Sequence, residues 1–321
     1  MKLLVQIPCW NEEASIADAV RAIPTRIAGV NTIEVLVIDD GSTDKSARIA
    51  QECGATVIVL SRHQGLADAF SAGIRAAIER NADILVNTDA DLQYPAERIE
   101  ALIAPILEKK ADVVIGDRLS HRPAPFSPLK MFFERMGTLF VRLVSGVPVR
   151  DAASGFRAYS RDALQNLFIH GKFTYTLESI LVAGMQKLRV VNVPIPVNPP
   201  RRQSRLIRSI PGYIARSVIT VLRAYLRYHP LIFFSSIGGA FLAAALVLGM
   251  RYLWFFTIGQ GSGHLQSLIL LSVLAMMGFQ TIILGLVGDV IAGNRRLLEE
   301  QRLTLLTRLA GRDAAGTGKP L

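Results

Sequence analysis

Ile84-Leu85-Val86-Asn87-Thr88-Asp89-Ala90-Asp91-Leu92-Gln93-Tyr94-Pro95 joins an apolar run to two carboxylates one residue apart. A strand that ends in Asp-x-Asp delivers two hard oxygen ligands to the carboxyl edge of a sheet, where open α/β sheets bind ligands. Two carboxylates there suit Mg²⁺ or Mn²⁺, and such a cation suits a diphosphate. An ordinary turn uses the same residues, because Asp accepts backbone hydrogen bonds after strands. The flanking sequence decides between the two.

Short β-rich runs at 3–8, 33–39, 56–60, 84–87 and 112–115 alternate with helically spaced segments at 12–22, 43–52, 66–80 and 96–109. That alternation predicts an α/β fold, a mostly parallel sheet flanked by helices. Two further strand ends reach the same edge. One is Ile7-Pro8-Cys9-Trp10-Asn11-Glu12-Glu13, the other Val37-Ile38-Asp39-Asp40-Gly41-Ser42-Thr43-Asp44. Asp39 or Asp40 suits the base or ribose of a nucleoside, and the face of Trp10 suits stacking on a flat ring. Gly41 with Ser42 or Thr43 also fits a tight turn capping a helix.

The chain has 321 residues, half of them hydrophobic and 19% charged. It is too apolar for a purely soluble protein and too charged for a multi-span transporter. The excess sits in two uncharged windows, 231–250 and 265–288. At about 1.5 Å per residue each reaches the roughly 30 Å of a bilayer core. They predict a transmembrane hairpin with helices near 231–253 and 265–289.

Arg201, Arg202, Arg205, Arg208, Arg216, Arg223 and Arg227 precede the first window, and Arg295, Arg296, Arg302 and Arg308 follow the second. Between the windows the only Lys or Arg is Arg251. The positive-inside rule places both termini in the cytoplasm. The opening residues 1–8 are too short and polar an apolar run for a signal peptide. Two cysteines, Cys9 and Cys53, make neither a disulfide framework nor a metal spacing. The net charge of +10 suits anionic lipid and phosphorylated ligands, and its clustering beside the spans points away from nucleic acid.

Leu129, Phe132, Phe133, Met136, Phe140 and Leu143 form one apolar stripe at helical spacing; Leu206, Ile210, Ile214, Val218, Leu222 and Tyr225 form another, bordered by arginines. The first fits equally an interfacial amphipathic helix or a helix packed on the domain's own core; the second leads into an apolar window and fits the interfacial reading better. The expected organisation is a catalytic domain over 1–200 with an interfacial helix at 126–144, a basic juxtamembrane helix at 201–229, the hairpin at 230–292 and a cytoplasmic tail at 293–321, disordered from 311. The hairpin and interfacial helices also offer surfaces for a homo-oligomer.

Taken in order, Ile-Pro-Cys-Trp-Asn-Glu-Glu, Asp-Asp-Gly-Ser-Thr-Asp and Asp-Ala-Asp-Leu-Gln-Tyr-Pro resemble glycosyltransferase family 2. The dolichyl-phosphate mannose synthases and bacterial polyprenyl-phosphate glycosyltransferases are the nearer resemblance. It rests on Val114-Ile115-Gly116-Asp117-Arg118, on Asp151-Ala152-Ala153-Ser154-Gly155-Phe156-Arg157, and on Val193-Pro194-Ile195-Pro196 with the arginines beyond. The resemblance covers roughly residues 1–230 and implies a GT-A-type, Rossmann-like fold. It implies a donor pocket lined by Pro8, Trp10, Glu12, Asp39, Asp40, Asp89, Ala90 and Asp91. Asp89, Asp91 and Gln93 would hold Mg²⁺ or Mn²⁺, and Arg118, Arg135 and Arg202, or the neighbouring Arg201 and Arg205, would meet phosphate. The implied reaction moves a hexose from a GDP- or UDP-sugar to undecaprenyl or dolichyl phosphate at the cytoplasmic face of the inner membrane. One departure is Ser61-Arg62-His63-Gln64-Gly65-Leu66, where many relatives carry Gly-Lys.

Three rivals fit less well. Polysaccharide synthases of the family carry Gln-x-x-Arg-Trp, but here Trp10 and Trp254 both lack a preceding Arg. A glycolipid acceptor would need a base at its hydroxyl. A non-catalytic sugar-nucleotide sensor would be expected to have lost metal ligands, and both carboxylates remain.

Overall fold

The computed structural model describes residues 1–118, 128–167, 169, 175–198, 210–259 and 265–316. The chain divides into two compact units, Met1–Leu222 with Arg302–Leu321, and Arg223–Gln301.

In the first unit the strands are β1 (Lys2–Cys9), β2 (Thr32–Asp39), β3 (Thr56–Val59), β4 (Ile84–Asn87), β5 (Val113–Asp117), β6 (Arg157–Ser160) and β7 (Val190–Pro194). Among the described residues they form one sheet in the order β3-β2-β1-β4-β6-β5-β7. All neighbours are parallel except β6, which runs antiparallel to both β4 and β5. Leu3, Leu4, Val5 and Ile7 of β1 are all fully buried. Consecutive burial, rather than alternation, follows from helices covering both faces of a parallel sheet. Each such side chain contributes roughly 1.5–3 kcal/mol relative to an exposed one.

The helices of this unit are α1 (Ile16–Arg21), α2 (Ser46–Glu52), α3 (Leu66–Glu79), α4 (Ile99–Leu107, led by a 3₁₀ turn at Ala96–Arg98), α5 (Pro128–Ser145), α6 (Arg161–Asn166) and α7 (Tyr175–Met185). Expectation and structure agree on the five strands and four helices up to residue 117, within a few residues at most ends. The first helix starts late, at Ile16, because the Glu12 and Glu13 N–H groups bond to Ser46 Oγ (2.8 Å) and Asp44 Oδ2 (3.2 Å) instead of entering a helix. No sequence signal marked β6, β7 or α7. In α7 every residue from Tyr175 to Ala183 is buried, including Thr176, Glu178 and Ser179.

Helix α5 lies against α7 so closely that a Cβ on Gly184 would collide with the Ser145 carbonyl. Val141 is buried, whereas Met136, Phe140 and Leu143 of the predicted stripe are exposed, Leu143 by 74%. That part of the stripe is therefore not spent on the domain core. Side chains 129–135, Arg135 included, lie outside the described residues.

Helix α8 (Ile210–Tyr228) follows, with Val218 and Leu222 exposed and Val221 buried. Helices α9 (Pro230–Thr257) and α10 (Leu265–Gly316), which make up most of the second unit, contain segments of 28 and 30 residues, long and apolar enough to cross a membrane. They meet through glycines: a Cβ on Gly238 would come within 2.7 Å of the Gly278 carbonyl, and one on Gly278 within 2.8 Å of the Gly238 carbonyl. Small residues let helix backbones approach this closely in the absence of a hydrophobic drive. Helix α10 continues from the apolar segment to Gly316, past the point where disorder was expected.

Candidate active site

From β1 the chain builds outward through β2 and β3, then returns to the other side of β1 as β4. The connections after β1 and β4 therefore diverge, which opens a crevice at their carboxyl ends. Asp89 and Asp91 follow β4 into this crevice, Trp10 and Glu12 follow β1, and Asp39 and Asp40 end β2. Pro8 is half-buried near the end of β1, and Ala90 is buried between the two carboxylates.

Side chains knit the β1 and β2 ends together. Asn11 adopts φ +53°, a left-handed conformation that Asn tolerates. Its N–H donates to Ser42 Oγ (2.9 Å) and its Oδ1 accepts from Thr43 N (2.8 Å). Asp39 accepts from the Ser42 hydroxyl and backbone N–H. Asp40 accepts from Gln64 N (2.7 Å) and Gly65 N (2.8 Å) and pairs with His63 Nδ1 (2.8 Å). Both of its oxygens thus anchor the β3–α3 loop. Gly41, at φ +70°, is obligatory, since a Cβ would lie 2.7 Å from the Arg62 and His63 backbone. His63 lies flat on Trp10, ring centroids 4.1 Å apart and 18° from parallel. Glu12 turns toward its own helix start and accepts from Ser15 Oγ (3.3 Å). Burial pushes the Cys9 thiol up to about 12, so it is no nucleophile.

Asp89 is supported from behind by a buried polar chain. Gln6 Nε2 donates to Asn87 Oδ1 (2.7 Å), and Asn87 Nδ2 donates to the Gly155 carbonyl (2.8 Å) and Tyr175 OH (2.7 Å). The Gly155 N–H donates to Tyr94 OH (3.0 Å). Gly155 carries no side chain for a reason: a Cβ would stand 3.2 and 3.3 Å from the two Asp89 oxygens and 3.0 Å from Tyr175 OH. Burial first, and the Asp89 charge second, hold the Tyr175 phenol well above its usual range. It stays neutral at physiological pH.

Asp91 heads a strained turn. Leu92 has φ +61°, a conformation that costs a non-glycine residue roughly 1–2 kcal/mol. Asp91 Oδ1 accepts from Gln93 N (3.1 Å), and Asn198, beyond β7, donates its side-chain Nδ2 to Leu92 O and its backbone N to Gln93 O, both at 2.9 Å.

Arg118, just past β5, is held by Asp151. Its Nε and Nη2 donate to the two carboxylate oxygens at 2.7 and 3.0 Å, and its backbone N–H donates at 3.2 Å. The fully buried Arg157 ties the same loop to α7 by donating to the carbonyls of Ala152, Ser154 and Thr176 and to Ser179 Oγ. Arg201, Arg202 and Arg205 lie outside the described residues. Among the described residues no three His, Cys, Asp or Glu side chains gather as a metal cage. Two carboxylates on a crevice edge are instead the partial donor set that suits a hard cation completing its shell with substrate phosphates.

Residues 4–168 match the model of glycosyl transferase family 2. The chain belongs to this family. It is a glycosyltransferase. It is 30% identical over 212 residues to UDP-N-acetylglucosamine–dolichyl-phosphate N-acetylglucosaminyltransferase of Methanococcus voltae, covering 59% of this chain and 82% of that one. It is 27% identical over 234 residues to undecaprenyl-phosphate mannosyltransferase of Micrococcus luteus, covering 70% and 93%. The glucosyl-3-phosphoglycerate synthase of Mycobacterium tuberculosis, solved with Mn²⁺, UDP-glucose and phosphoglyceric acid, shares the fold at TM-score 0.57 and 22% identity, over 70% of this chain and 79% of that one. Within this glycosyltransferase the sequence reading missed Asn87, Tyr94, Tyr175 and Asn198, which support the site from up to 106 residues away.

Proposed function

We propose that this glycosyltransferase moves a hexose from a GDP- or UDP-sugar to a polyprenyl phosphate at the cytoplasmic face of the membrane, with inversion at the anomeric carbon. The observation that carries the reading is the placement of Asp89 and Asp91 at the β1/β4 crevice in a chain with two span-length apolar helices. The relatives named above act on dolichyl and undecaprenyl phosphate, which supports a lipid phosphate acceptor.

Asp89 and Asp91, with Gln93, would hold Mg²⁺ or Mn²⁺. When bound, the cation offsets the charge of the donor diphosphate and eases its departure. Trp10 and Asp39 face the nucleoside end. Arg118, fixed by Asp151, presents its guanidinium to the acceptor phosphate, for which a planar fork is well shaped. Asn198, three residues before Arg201 in the sequence, is bonded to the Asp91 loop.

The acceptor supplies its own nucleophile. A phosphate monoester has a second pKa of about 6 and is already anionic at neutral pH. A phosphate oxygen forms the new bond to C1 as the bond from C1 to the diphosphate oxygen breaks, and the leaving nucleoside diphosphate takes the electron pair. One such displacement inverts C1 and needs no strong general base. The flanking arginines orient the hairpin with both ends in the cytoplasm.

The test is transfer from radiolabelled UDP- and GDP-sugars to undecaprenyl phosphate by purified protein in detergent with Mg²⁺ or Mn²⁺. A lipid-phosphate-sugar of inverted configuration, absent with Asp91→Asn, is expected. Absence of product with every donor would refute the acceptor, and retained configuration would refute the single displacement.

A further inference from the structure

Asn198 is exposed and lies outside every motif that identifies the family. An exposed Asn is ordinarily free to vary. Here its side-chain amide and its backbone N–H both donate to one short loop, the side chain to Leu92 O and the backbone to Gln93 O, each at 2.9 Å. Between those carbonyls and Asp91 stands Leu92 in a left-handed conformation. A leucine relaxes from φ +61° unless its surroundings hold it, because its Cβ crowds the following carbonyl. Its side chain also packs against the core, so the turn is fixed from both ends. Relaxation at Leu92 would turn the preceding peptide, and with it Asp91.

We propose that Asn198 is a positioning residue that latches the Asp91-Leu92-Gln93 turn and thereby sets the aim of the Asp91 carboxylate at the cation. This rests on the reading of Asp91 as a metal ligand. The latch comes from the edge strand of the sheet, since Asn198 follows β7 while the turn follows β4, three positions inward at the same carboxyl edge. It couples the metal loop to the point where the basic segment begins. A family motif would not reveal it, because the bonded atoms on the loop are backbone carbonyls.

The experiment titrates Mn²⁺ by electron paramagnetic resonance, in the presence of UDP and separately of GDP, on the full chain in detergent. The wild type, Asn198→Ala, Leu92→Gly, the double variant and Asp91→Asn are compared. Asn198→Ala should weaken Mn²⁺ binding roughly tenfold, equivalent to about 1.4 kcal/mol. Its thermal midpoint should stay within the range of exposed substitutions, and its activation constant for Mn²⁺ should rise with little change in nucleotide affinity measured without metal. Glycine adopts positive φ without penalty, so Asn198→Ala should cost less in the Leu92→Gly background. Wild-type Mn²⁺ affinity in Asn198→Ala, or strictly additive effects in the double variant, would overturn the latch. Undiminished Mn²⁺ binding by Asp91→Asn would instead overturn the metal reading itself.

Discussion

Gly155→Ala tests how tightly the Asp89 carboxylate is seated. The new Cβ would sit 3.0 Å from Tyr175 OH and 3.2 Å from the nearer Asp89 oxygen, where ordinary contact begins at 3.4 Å. The phenol and the carboxylate must both back away by a few tenths of an ångström. The phenol cannot do so freely, because Asn87 binds Tyr175 OH at 2.7 Å and is itself fixed by Gln6. Overpacking of a closed site typically costs about 1–3 kcal/mol. In a domain of this size that lowers the thermal midpoint by roughly 2–4 °C per kcal/mol. Catalytic groups must hold within about 0.5 Å of the productive geometry, so a shift of this size should cost about tenfold in kcat/KM and in Mn²⁺ affinity. Tyr175→Phe removes the atom in closest contact. Adding it to Gly155→Ala should recover part of the lost stability, though Asn87 then lacks one acceptor. The assay pairs Mn²⁺ titration with thermal unfolding on the same preparations. A variant that loses stability yet binds Mn²⁺ like the wild type would show that Asp89 does not lean on residue 155, and the support argument would fall.

Two other outcomes follow from the ion pairs. Asp151→Asn leaves Arg118 with a weakened anchor, and is expected to raise the KM for polyprenyl phosphate about tenfold while leaving donor binding within about twofold; equal effects on both substrates in steady-state kinetics would contradict the assigned role. Asp112 bonds to Arg189 through both carboxylate oxygens, at 3.0 and 2.7 Å, and that pairing holds its carboxyl below the ordinary value of 3.8. A depressed folded pKa gives stability that is present above pH 3.8 and is lost as pH falls through the lower folded value. Thermal midpoints measured from pH 6 to pH 3 should fall more steeply below pH 4 in the wild type than in Arg189→Gln, and parallel curves would refute the linkage.

The crevice was legible because its two carboxylates are local. Asp89 and Asp91 are separated by one residue on one loop, and the strands that frame them are mostly apolar runs. What escaped notice depends on distant contacts. Strand β6 has four residues, and its first, Arg157, is an arginine with no exposed surface. No sequence pattern places such a side chain inside; only the carbonyls it meets from residues 152, 154 and 176 make its burial tolerable. Helix α7 is buried on all sides, so it shows no amphipathic period to read. Asp40 was legible as an acidic residue at the right edge, yet which of its neighbours it serves is settled by the return of the β3–α3 loop over Gly41.

The antiparallel strand between β4 and β5 bears on how the protein is made. During synthesis β1 to β4 emerge in succession and can pair as they appear. Strand β5 has no place beside β4, because that position is reserved for β6, some forty residues later. A ribosome-bound fragment ending after β5 would display the Asp-x-Asp loop without Gly155 behind it or Tyr175 beneath. Closing such distant pairs is the slow part of folding. The nascent glycosyltransferase therefore cannot bring Gly155 and Tyr175 to the Asp-x-Asp loop until the chain has grown into α7, and the Asn198 contacts arrive just as the basic stretch before the apolar helices begins to leave the exit tunnel.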